Sequence, residues 1–161
     1  MITIGPVKPE DFVMTFQKNF ERGIRSLMNV RRKDVRIISI QPARSARPKR
    51  SLDVEDYIEV LFAVLKSDEP GSYYATDYLR KEIKTKLRMF EAVLGLQILK
   101  VEENLCEVDG GDNCVPGNGK CADRMLLNED NIVRITTDVM SFVSPQHRHV
   151  KECVCKPGFA G

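Results

Sequence analysis

The sequence has 161 residues, 42% of them hydrophobic, and a formal net charge of +2. This length suits one ordinary domain or two small ones with an apolar core, and the near-neutral charge gives no global case for nucleic-acid binding. The sequence contains no run of 18 apolar residues, and Met1 is not followed by a charged and then apolar leader. We therefore expect neither a membrane span nor a signal peptide within it.

The N-terminal segment predicts a strand followed by a long helix. Ile2 and Ile4 alternate with polar or small residues, which is typical of a short strand. A helix is predicted to begin at Pro9, since proline is favoured in the first turn, and to end at Asn29, which tolerates a left-handed backbone. The apolar face of this helix has helical spacing: Phe12, Phe16, Phe20, Ile24 and Leu27.

Two neighbouring strands are predicted next. The β-branched run at residues 35–40 and the apolar run at 57–65 both favour strands. Residues 41–56 between them are rich in Pro, Arg and Ser. We expect this segment to form an exposed hairpin loop.

A second helix and a final strand complete the cysteine-free part of the chain. Ser72 or Thr76 is predicted to cap the helix, and Gly95 is predicted to end it. Its apolar face comprises Leu79, Ile83, Leu87, Phe90 and Leu94. With a strand at 96–101, the order is βαββαβ, which predicts a ferredoxin-like α+β fold with an antiparallel sheet and two helices on one face.

Cysteines occur only in the last 56 residues: Cys106, Cys114, Cys121, Cys153 and Cys155. This segregation predicts one domain over residues 1–103 and a second, small disulfide-bonded domain over 104–161, in an oxidising compartment. Spacing alone leaves the pairing open. Zinc binding with His147 and His149 is the alternative, but we predict no metal, because Cys-x-Cys binds a single metal ion awkwardly.

The end of the chain, Cys153-Val-Cys155-Lys-Pro-Gly-Phe-Ala-Gly161, resembles the second half of an EGF-like domain. This resemblance implies the disulfides Cys106–Cys121 and Cys114–Cys153. It also implies a sixth cysteine beyond Gly161, so we expect a truncated module in which Cys155 is unpaired.

The gap of 31 residues between Cys121 and Cys153 is long for an EGF-like domain, and its apolar runs at 132–135 and 139–143 are candidates for extra strands. Residues 101–104 do not reproduce the acidic cluster that precedes calcium-binding EGF modules. We therefore do not expect calcium binding here.

Two strand motifs carry a wider resemblance: Ile38-Ser-Ile-Gln-Pro42 and Leu61-Phe-Ala-Val64. With them, the whole chain resembles the region after the last cadherin repeat of Fat-type cadherins and, less closely, of Flamingo-type cadherins. The resemblance implies a SEA-like or ferredoxin-like module that joins calcium-binding repeats to EGF and laminin-G modules. It further implies the extracellular part of a single-pass plasma-membrane receptor for adhesion and planar polarity, whose neighbouring modules are the partners.

No catalytic constellation is recognisable in the sequence. The only histidines, His147 and His149, lie on a polar segment and are predicted to be surface residues. RNA binding is not expected, because Tyr57 and Phe62 face opposite sides of a strand. We therefore predict a non-enzymatic module without a cofactor, acting as a rigid joint in which the short connection from Lys100 to Cys106 limits pivoting.

Two basic segments are candidate sites. Arg47, Lys49, Arg50 and Ser51 resemble the site that furin-type proprotein convertases cut, here after Arg50, on an exposed loop that proteases reach. The residues 31–33 (Arg31, Arg32 and Lys33) are candidates for binding an acidic glycan such as heparan sulfate. The alternative for both segments is an ordinary solvated surface.

Overall fold

A four-stranded antiparallel sheet organises the first part of the chain. The computed structural model describes residues 1–43, 56–108, 114 and 119–155. The strands are β1 (Ile2–Gly5), β2 (Val35–Pro42), β3 (Ile58–Val64) and β4 (Gln97–Val101), in the order β2-β3-β1-β4. All neighbouring strands are antiparallel. This is the order expected of a ferredoxin-like βαββαβ chain, so the predicted α+β fold is confirmed.

The first predicted helix forms with an irregular start. It comprises α1 (Pro9–Asp11), a π-helical turn (Phe12–Phe16) and α2 (Gln17–Met28). The π turn interrupts the 3.6-residue period, and Phe16 is only partly buried although it lies on the predicted apolar face. The helix ends as predicted, because Asn29 adopts the left-handed conformation with φ of 52°.

The second predicted helix is divided into α3 (Thr76–Thr85) and α4 (Leu87–Leu94) by the non-helical backbone of Lys86. The prediction that Ser72 or Thr76 caps it was wrong. The capping position is Ala75, whose backbone is extended as that position requires and which makes no side-chain cap hydrogen bond. The predicted end is confirmed, since Gly95 has φ of 81°.

The core between the helices and the sheet is built around Phe20. Its ring makes edge-on contacts with Phe12, Phe62 and Phe90, with ring centroids 6.0, 5.1 and 5.6 Å apart. Gly23 lets α2 approach α4 closely, because a Cβ atom there would lie 2.4 Å from the Phe90 ring. Aromatic packing therefore joins both helical segments to the sheet.

A long hairpin follows the four-stranded sheet. It consists of β5 (Gly119–Thr136) and β6 (Ser141–Cys155), paired antiparallel with a register shift between Asn128 and Ile132. The apolar run 132–135 lies in β5, as expected for an added strand. The run 139–143 is divided between the turn and the start of β6, and Val139 is 75% exposed.

Two disulfides connect the hairpin to the residues before it. They join Cys106 to Cys121 and Cys114 to Cys153, with S–S distances of 2.02 and 2.10 Å. These are the two pairs that the EGF-like resemblance implies. The side chain of Cys155 lies outside the described part of the structure.

The hairpin packs against the rest of the chain. Ile135 of β5 is 2% exposed and belongs to the same apolar core as the sheet, and Val133 and Phe142 pack against this core. Strand β6 also contacts β2, which is an edge strand of the sheet. The division of the chain at residues 103 and 104 remains a prediction, and contacts cross it. Among the described residues, no helix has the length and apolar character needed to span a membrane.

Candidate functional site: the sheet–hairpin junction

Buried polar side chains lie where β6 passes along β2 and β3. Ser39 and Gln41 occupy alternate positions of β2 and therefore share one face of the strand. Glu59 of β3 lies opposite Gln41, and β6 contributes Ser144 and His147. Four of these residues are buried, with Ser39 fully inaccessible and His147 3% exposed, while Glu59 is partly buried. We call these five residues the His147 cluster.

In the His147 cluster, side chains replace the backbone hydrogen bonds that two paired strands would make. Gln41 Nε2 donates to the carbonyl oxygen of His147 at 3.0 Å, and Gln41 Oε1 accepts from the His147 N–H at 2.9 Å. The N–H of Ile40 donates to Ser144 Oγ at 3.3 Å. Polar backbone groups at the sheet edge are thereby satisfied, as buried backbone groups must be.

The hydrogen-bonding geometry around Ser39 defines which nitrogen of His147 carries a proton. Ser39 Oγ donates its only proton to the carbonyl oxygen of Pro145 at 2.7 Å. His147 Nδ1 lies 2.7 Å from the same hydroxyl oxygen and must therefore be the donor. His147 Nε2 lies 3.4 Å from Glu59 Oε2.

The carboxylate of Glu59 is stabilised by its neighbours in this cluster. Burial by itself would raise the pKa of Glu59, but the adjacent His147 ring, the hydrogen bond from Gln41 and the charge of Lys100 outweigh it and lower the pKa. The Gln41 amide donates to Glu59 Oε2 at 2.8 Å. Glu59 is therefore held as an anion beneath the hairpin.

The combination of Ser39, His147 and Glu59 superficially resembles a hydrolytic triad. Ser39 is fully buried, and its proton is directed at the Pro145 carbonyl rather than at a general base. A nucleophile has to be reachable by a substrate and oriented toward a base that accepts its proton. The arrangement is therefore suited to joining the hairpin and the sheet, and unsuited to hydrolysis.

A second cluster of polar side chains lies nearer the open end of the hairpin, where β5 begins and β6 ends. Arg80 of α3, Glu102, Asp123 of β5 and His149 of β6 form what we call the His149 cluster. His149 Nδ1 lies 3.4 Å from Glu102 Oε2, and His149 Nε2 contacts Asp123 Oδ1. Asp123 also pairs with Arg80 Nη2 at 3.1 Å and accepts the N–H of Leu105 at 3.0 Å.

The charge of Asp123 is likewise maintained by its contacts. Burial alone would raise the pKa of Asp123, but the Leu105 N–H, the Arg80 guanidinium and His149 together lower it. Among the described residues, no group of three or more His, Cys, Asp and Glu side chains is arranged to hold a metal ion. The His149 cluster thus connects a helix, the β4–β5 connection and both hairpin strands through charge and hydrogen bonds.

The prediction that both histidines are surface residues was wrong. The His147 and His149 side chains are 0% and 8% exposed, whereas Arg148 between them is exposed. The physical reason is strand alternation, which turns both rings toward the carboxylates of the sheet and of β5. The His-Arg-His pattern was a usable signal, but recognising it required knowing that this polar segment is a strand.

The predicted cleavage segment, Arg47, Lys49, Arg50 and Ser51, falls outside the described residues. The predicted glycan segment lies at a short 3₁₀ turn, Arg32–Asp34. Cleavage and glycan binding both remain predictions.

Two of the three bases in the glycan segment contact carboxylates. Arg31 Nε lies 3.2 Å from Asp34 Oδ2, and Arg32 Nε lies 3.3 Å from Glu21 Oε2. A hydrogen bond from Ser67, together with the contacts from Arg31, lowers the pKa of Asp34. The structure therefore assigns both arginines a local partner, while the Lys33 side chain is exposed.

Comparison with known proteins gives matches over the whole chain. The chain is 32% identical to human "Protocadherin Fat 1" over 158 residues, and this alignment covers 98% of the chain. It is 28% identical over 170 residues to "Fat-like cadherin-related tumor suppressor homolog" of Drosophila melanogaster and 26% identical over 164 residues to "Cadherin-4" of Caenorhabditis elegans, covering 100% and 99% of the chain. The chain spans only 3–4% of the length of these relatives. No family model and no solved structure matches it.

Proposed function

Because the chain is a homologue, over essentially its whole length, of a short segment of Fat-type cadherins, we propose that it is a non-enzymatic module in the extracellular part of a cell-adhesion receptor. The two disulfides support an oxidising location. In this proposal the parent protein is a single-pass plasma-membrane receptor that acts in adhesion and planar polarity. The partners of the module are then the neighbouring cadherin, EGF-like and laminin-G modules.

Within that receptor, the proposed role of the module is that of a structural joint. The observation that carries this proposal is the sheet–hairpin junction, where Gln41 binds both backbone groups of His147. The segment between β4 and β5, which connects the two regions, is also fixed by hydrogen bonds. Glu102 N–H donates to the Met1 carbonyl at 3.0 Å, and Leu105 N–H donates to Asp123. A hairpin held by so many contacts has little freedom to pivot.

The proposal includes the nature of the two regions. Residues 1–103 form a SEA-like, ferredoxin-like domain, and residues 104–161 form an EGF-like domain in which the hairpin is a long insertion. The strand order of the sheet and the two disulfide pairs support this assignment. Calcium binding belongs to the neighbouring repeats of the parent receptor and not to this module.

Residual dipolar couplings test the joint directly. We expect one alignment tensor to fit the amides of both the four-stranded sheet and the hairpin. Gln41→Ala should reduce the apparent order of the hairpin, because it leaves the His147 N–H and carbonyl without partners. Asn131→Ala is the matched control, since it removes an exposed amide contact to Gln146 within the hairpin. Separate tensors for the two regions in the unaltered chain would refute the joint.

Processing by a furin-type convertase is a second candidate function. The basic motif of Arg47, Lys49 and Arg50 supports it. The antiparallel pairing of β2 with β3 would hold the two fragments together after a cut that follows Arg50. We expect convertase treatment to give two bands on a denaturing gel and one species in solution. Arg50→Ala should stay intact. A single band from the unaltered chain after treatment would exclude this function.

Glycan binding has a simple test of its own. If residues 31–33 bind an acidic glycan, the chain is retained on heparin at physiological salt, and neutralising Arg31, Arg32 and Lys33 together abolishes that retention. Neutralising Arg22, Arg25 and Lys18 in α2 is a control of equal charge change. Absence of retention of the unaltered chain at physiological salt would end the proposal.

A further inference from the structure

His147 is buried and His149 is partly buried. Both lie on the hairpin, and each faces at least one carboxylate across the junction. His147 faces Glu59 of β3, and His149 faces Glu102 as well as Asp123 of β5. We propose that His147 and His149 form a proton-dependent latch that holds the hairpin to the sheet while each ring carries two protons. Loss of one proton from each ring loosens the hairpin and leaves the four-stranded sheet folded. This inference deepens the proposed joint and takes its biological meaning from it.

The contacts of His147 require a doubly protonated ring. Its Nδ1 is already the donor to Ser39 Oγ, because the Ser39 proton is used by Pro145. A neutral ring would then direct the bare lone pair of Nε2 at the Glu59 oxygen 3.4 Å away. The side chain is 0% exposed, so water cannot relieve that repulsion. When Nε2 carries a second proton, the contact between the ring and Glu59 is an ion pair.

The contacts of His149 lead to the same conclusion independently. Both of its ring nitrogens face carboxylate oxygens, Nδ1 that of Glu102 and Nε2 that of Asp123. A neutral imidazole has one donor nitrogen and one acceptor nitrogen, and carboxylates accept only. A ring with two protons satisfies both contacts, whereas a neutral ring leaves one of them repulsive.

Three other charged groups lie around the latch: Lys100, Arg80 and the α-amino group of Met1. Lys100 Nζ lies 3.4 Å from Glu102 Oε1 and its charge also acts on Glu59, while Arg80 pairs with Asp123. The α-amino group of Met1 is a further titrating group, since burial and then the charge of Arg80 lower its pKa to about 6. It titrates in the same range as histidine and must be blocked in any test.

The carboxylates limit the latch at low pH, and the histidine rings limit it at high pH. Glu59 and Asp123 have lowered pKa values, so their contribution to stability is present above their ordinary pKa and is lost as pH falls through the lowered value. Histidine changes charge between about pH 5 and 8. Attachment of the hairpin is therefore strongest in mildly acidic solution, where the rings are charged and the carboxylates ionised. It weakens above neutral pH and again in strong acid.

The test uses the chain with an acetylated amino terminus. Ring ¹⁵N shifts report the protonation of His147 and His149, and amide hydrogen exchange, corrected for intrinsic rate, reports hairpin attachment. We expect both rings to be doubly protonated at about pH 5.5. Between about pH 5.5 and 8.5, protection of the His147 amide should fall about tenfold, which corresponds to about 1.4 kcal/mol, while protection of Val60 in β3 stays constant.

Variants separate the latch from a general effect of pH. Glu59→Gln keeps the size of the side chain and one acceptor oxygen, but it removes the charge and replaces the other oxygen with an amide donor. The change of His147 ring protonation with pH should therefore shrink, while that of His149 remains. Glu152→Gln removes the exposed partner of Arg124 in the same hairpin and should change neither.

Two results would overturn the latch: a neutral His147 or His149 ring at pH 5.5, or protection of the His147 amide that does not depend on pH. If either occurs while one alignment tensor still fits both regions, the joint stands without the latch. Independent alignment of the two regions at pH 5.5 refutes the joint itself.

Discussion

The four-stranded sheet with its helices and the long hairpin are stabilised in different ways. Among the large side chains described as fully buried, only Ile135 comes from the hairpin, and the others come from the sheet and helices. The hairpin instead has two disulfides and a polar junction. A lone two-stranded hairpin is marginally stable in water. This hairpin therefore depends on covalent links and on a neighbouring surface, whereas the sheet depends on its own core.

The exposed side chains of the hairpin agree with this contrast. Ile132, Val139, Met140 and Val143 are all large apolar residues with exposed side chains. Such residues contribute little burial energy where they stand. Folding of this region therefore has to draw on the cross-links and on contacts with β2, and substitutions in each of these should weaken the hairpin independently.

The largest effect is expected in the apolar core. Phe20→Ala should reduce the free energy of unfolding by about 3–5 kcal/mol, because it removes a buried ring that contacts three other rings. Chemical denaturation measures this loss. Met14→Ala in the adjoining π turn is the control, since that side chain is 50% exposed and should matter by about 0.5 kcal/mol or less. Equal losses in the two variants would contradict this account of the core.

Removing a disulfide should act mainly on the hairpin. We expect the double substitution Cys114→Ser with Cys153→Ser to cost about 2–5 kcal/mol, while helical circular dichroism persists below the new midpoint. The residues joined are 39 apart in sequence, against 15 for Cys106 and Cys121. On the chain-entropy account, the longer loop contributes about 1 kcal/mol more. Simultaneous loss of helical and hairpin signals would show that the two regions do not differ as described.

A single polar contact at the junction should have an intermediate effect. Ser144→Ala removes the acceptor for the Ile40 N–H, which leaves a buried donor unsatisfied at a cost of about 1–3 kcal/mol. The loss is measured by hydrogen exchange of the Ile40 amide and by denaturation. Ser141→Ala, an exposed serine of the same strand, is the matched control. No difference between the two serines would argue against the junction.

The smallest effect is expected at the basic surface of the sheet part. The exposed pair of Arg32 and Glu21 should contribute only about 0.2–1 kcal/mol, because solvent screens it. A double-mutant cycle with Arg32→Ala and Glu21→Ala measures this coupling free energy. A coupling well above 1 kcal/mol would mean that surface charge contributes to this region as strongly as the junction contributes to the hairpin.

Local patterns predicted most of the sheet part of the fold. The apolar periodicity around Phe20, the left-handed stop at Asn29 and the end at Gly95 are all present. The π turn and the break at Lys86 were not predicted, because the helical spacing of the apolar residues continues across both of them. The capping prediction failed because an alanine with extended backbone can occupy the position without a side-chain hydrogen bond.

The junction was beyond what the sequence could predict. Ser39 and His147 are more than 100 positions apart, and only the tertiary fold brings their side chains within 2.7 Å. The motif that contains Ser39 and Gln41, Ile38-Ser-Ile-Gln-Pro42, carries the resemblance to Fat-type cadherins. Its physical role follows from the strand that lies beside it, which no local pattern of β2 specifies.

The position of Gln41 has a further consequence for how the module behaves at high local concentration. An open strand at the side of a sheet is a template on which another chain can add a strand, which is a common route to aggregation. The contacts of Gln41 and Ile40 with β6 occupy the outer side of β2, and among the described strands β4 is the other outermost one of that sheet. Loosening the hairpin would therefore expose a second template, so this module should become prone to intermolecular strand addition under the same conditions that weaken the junction.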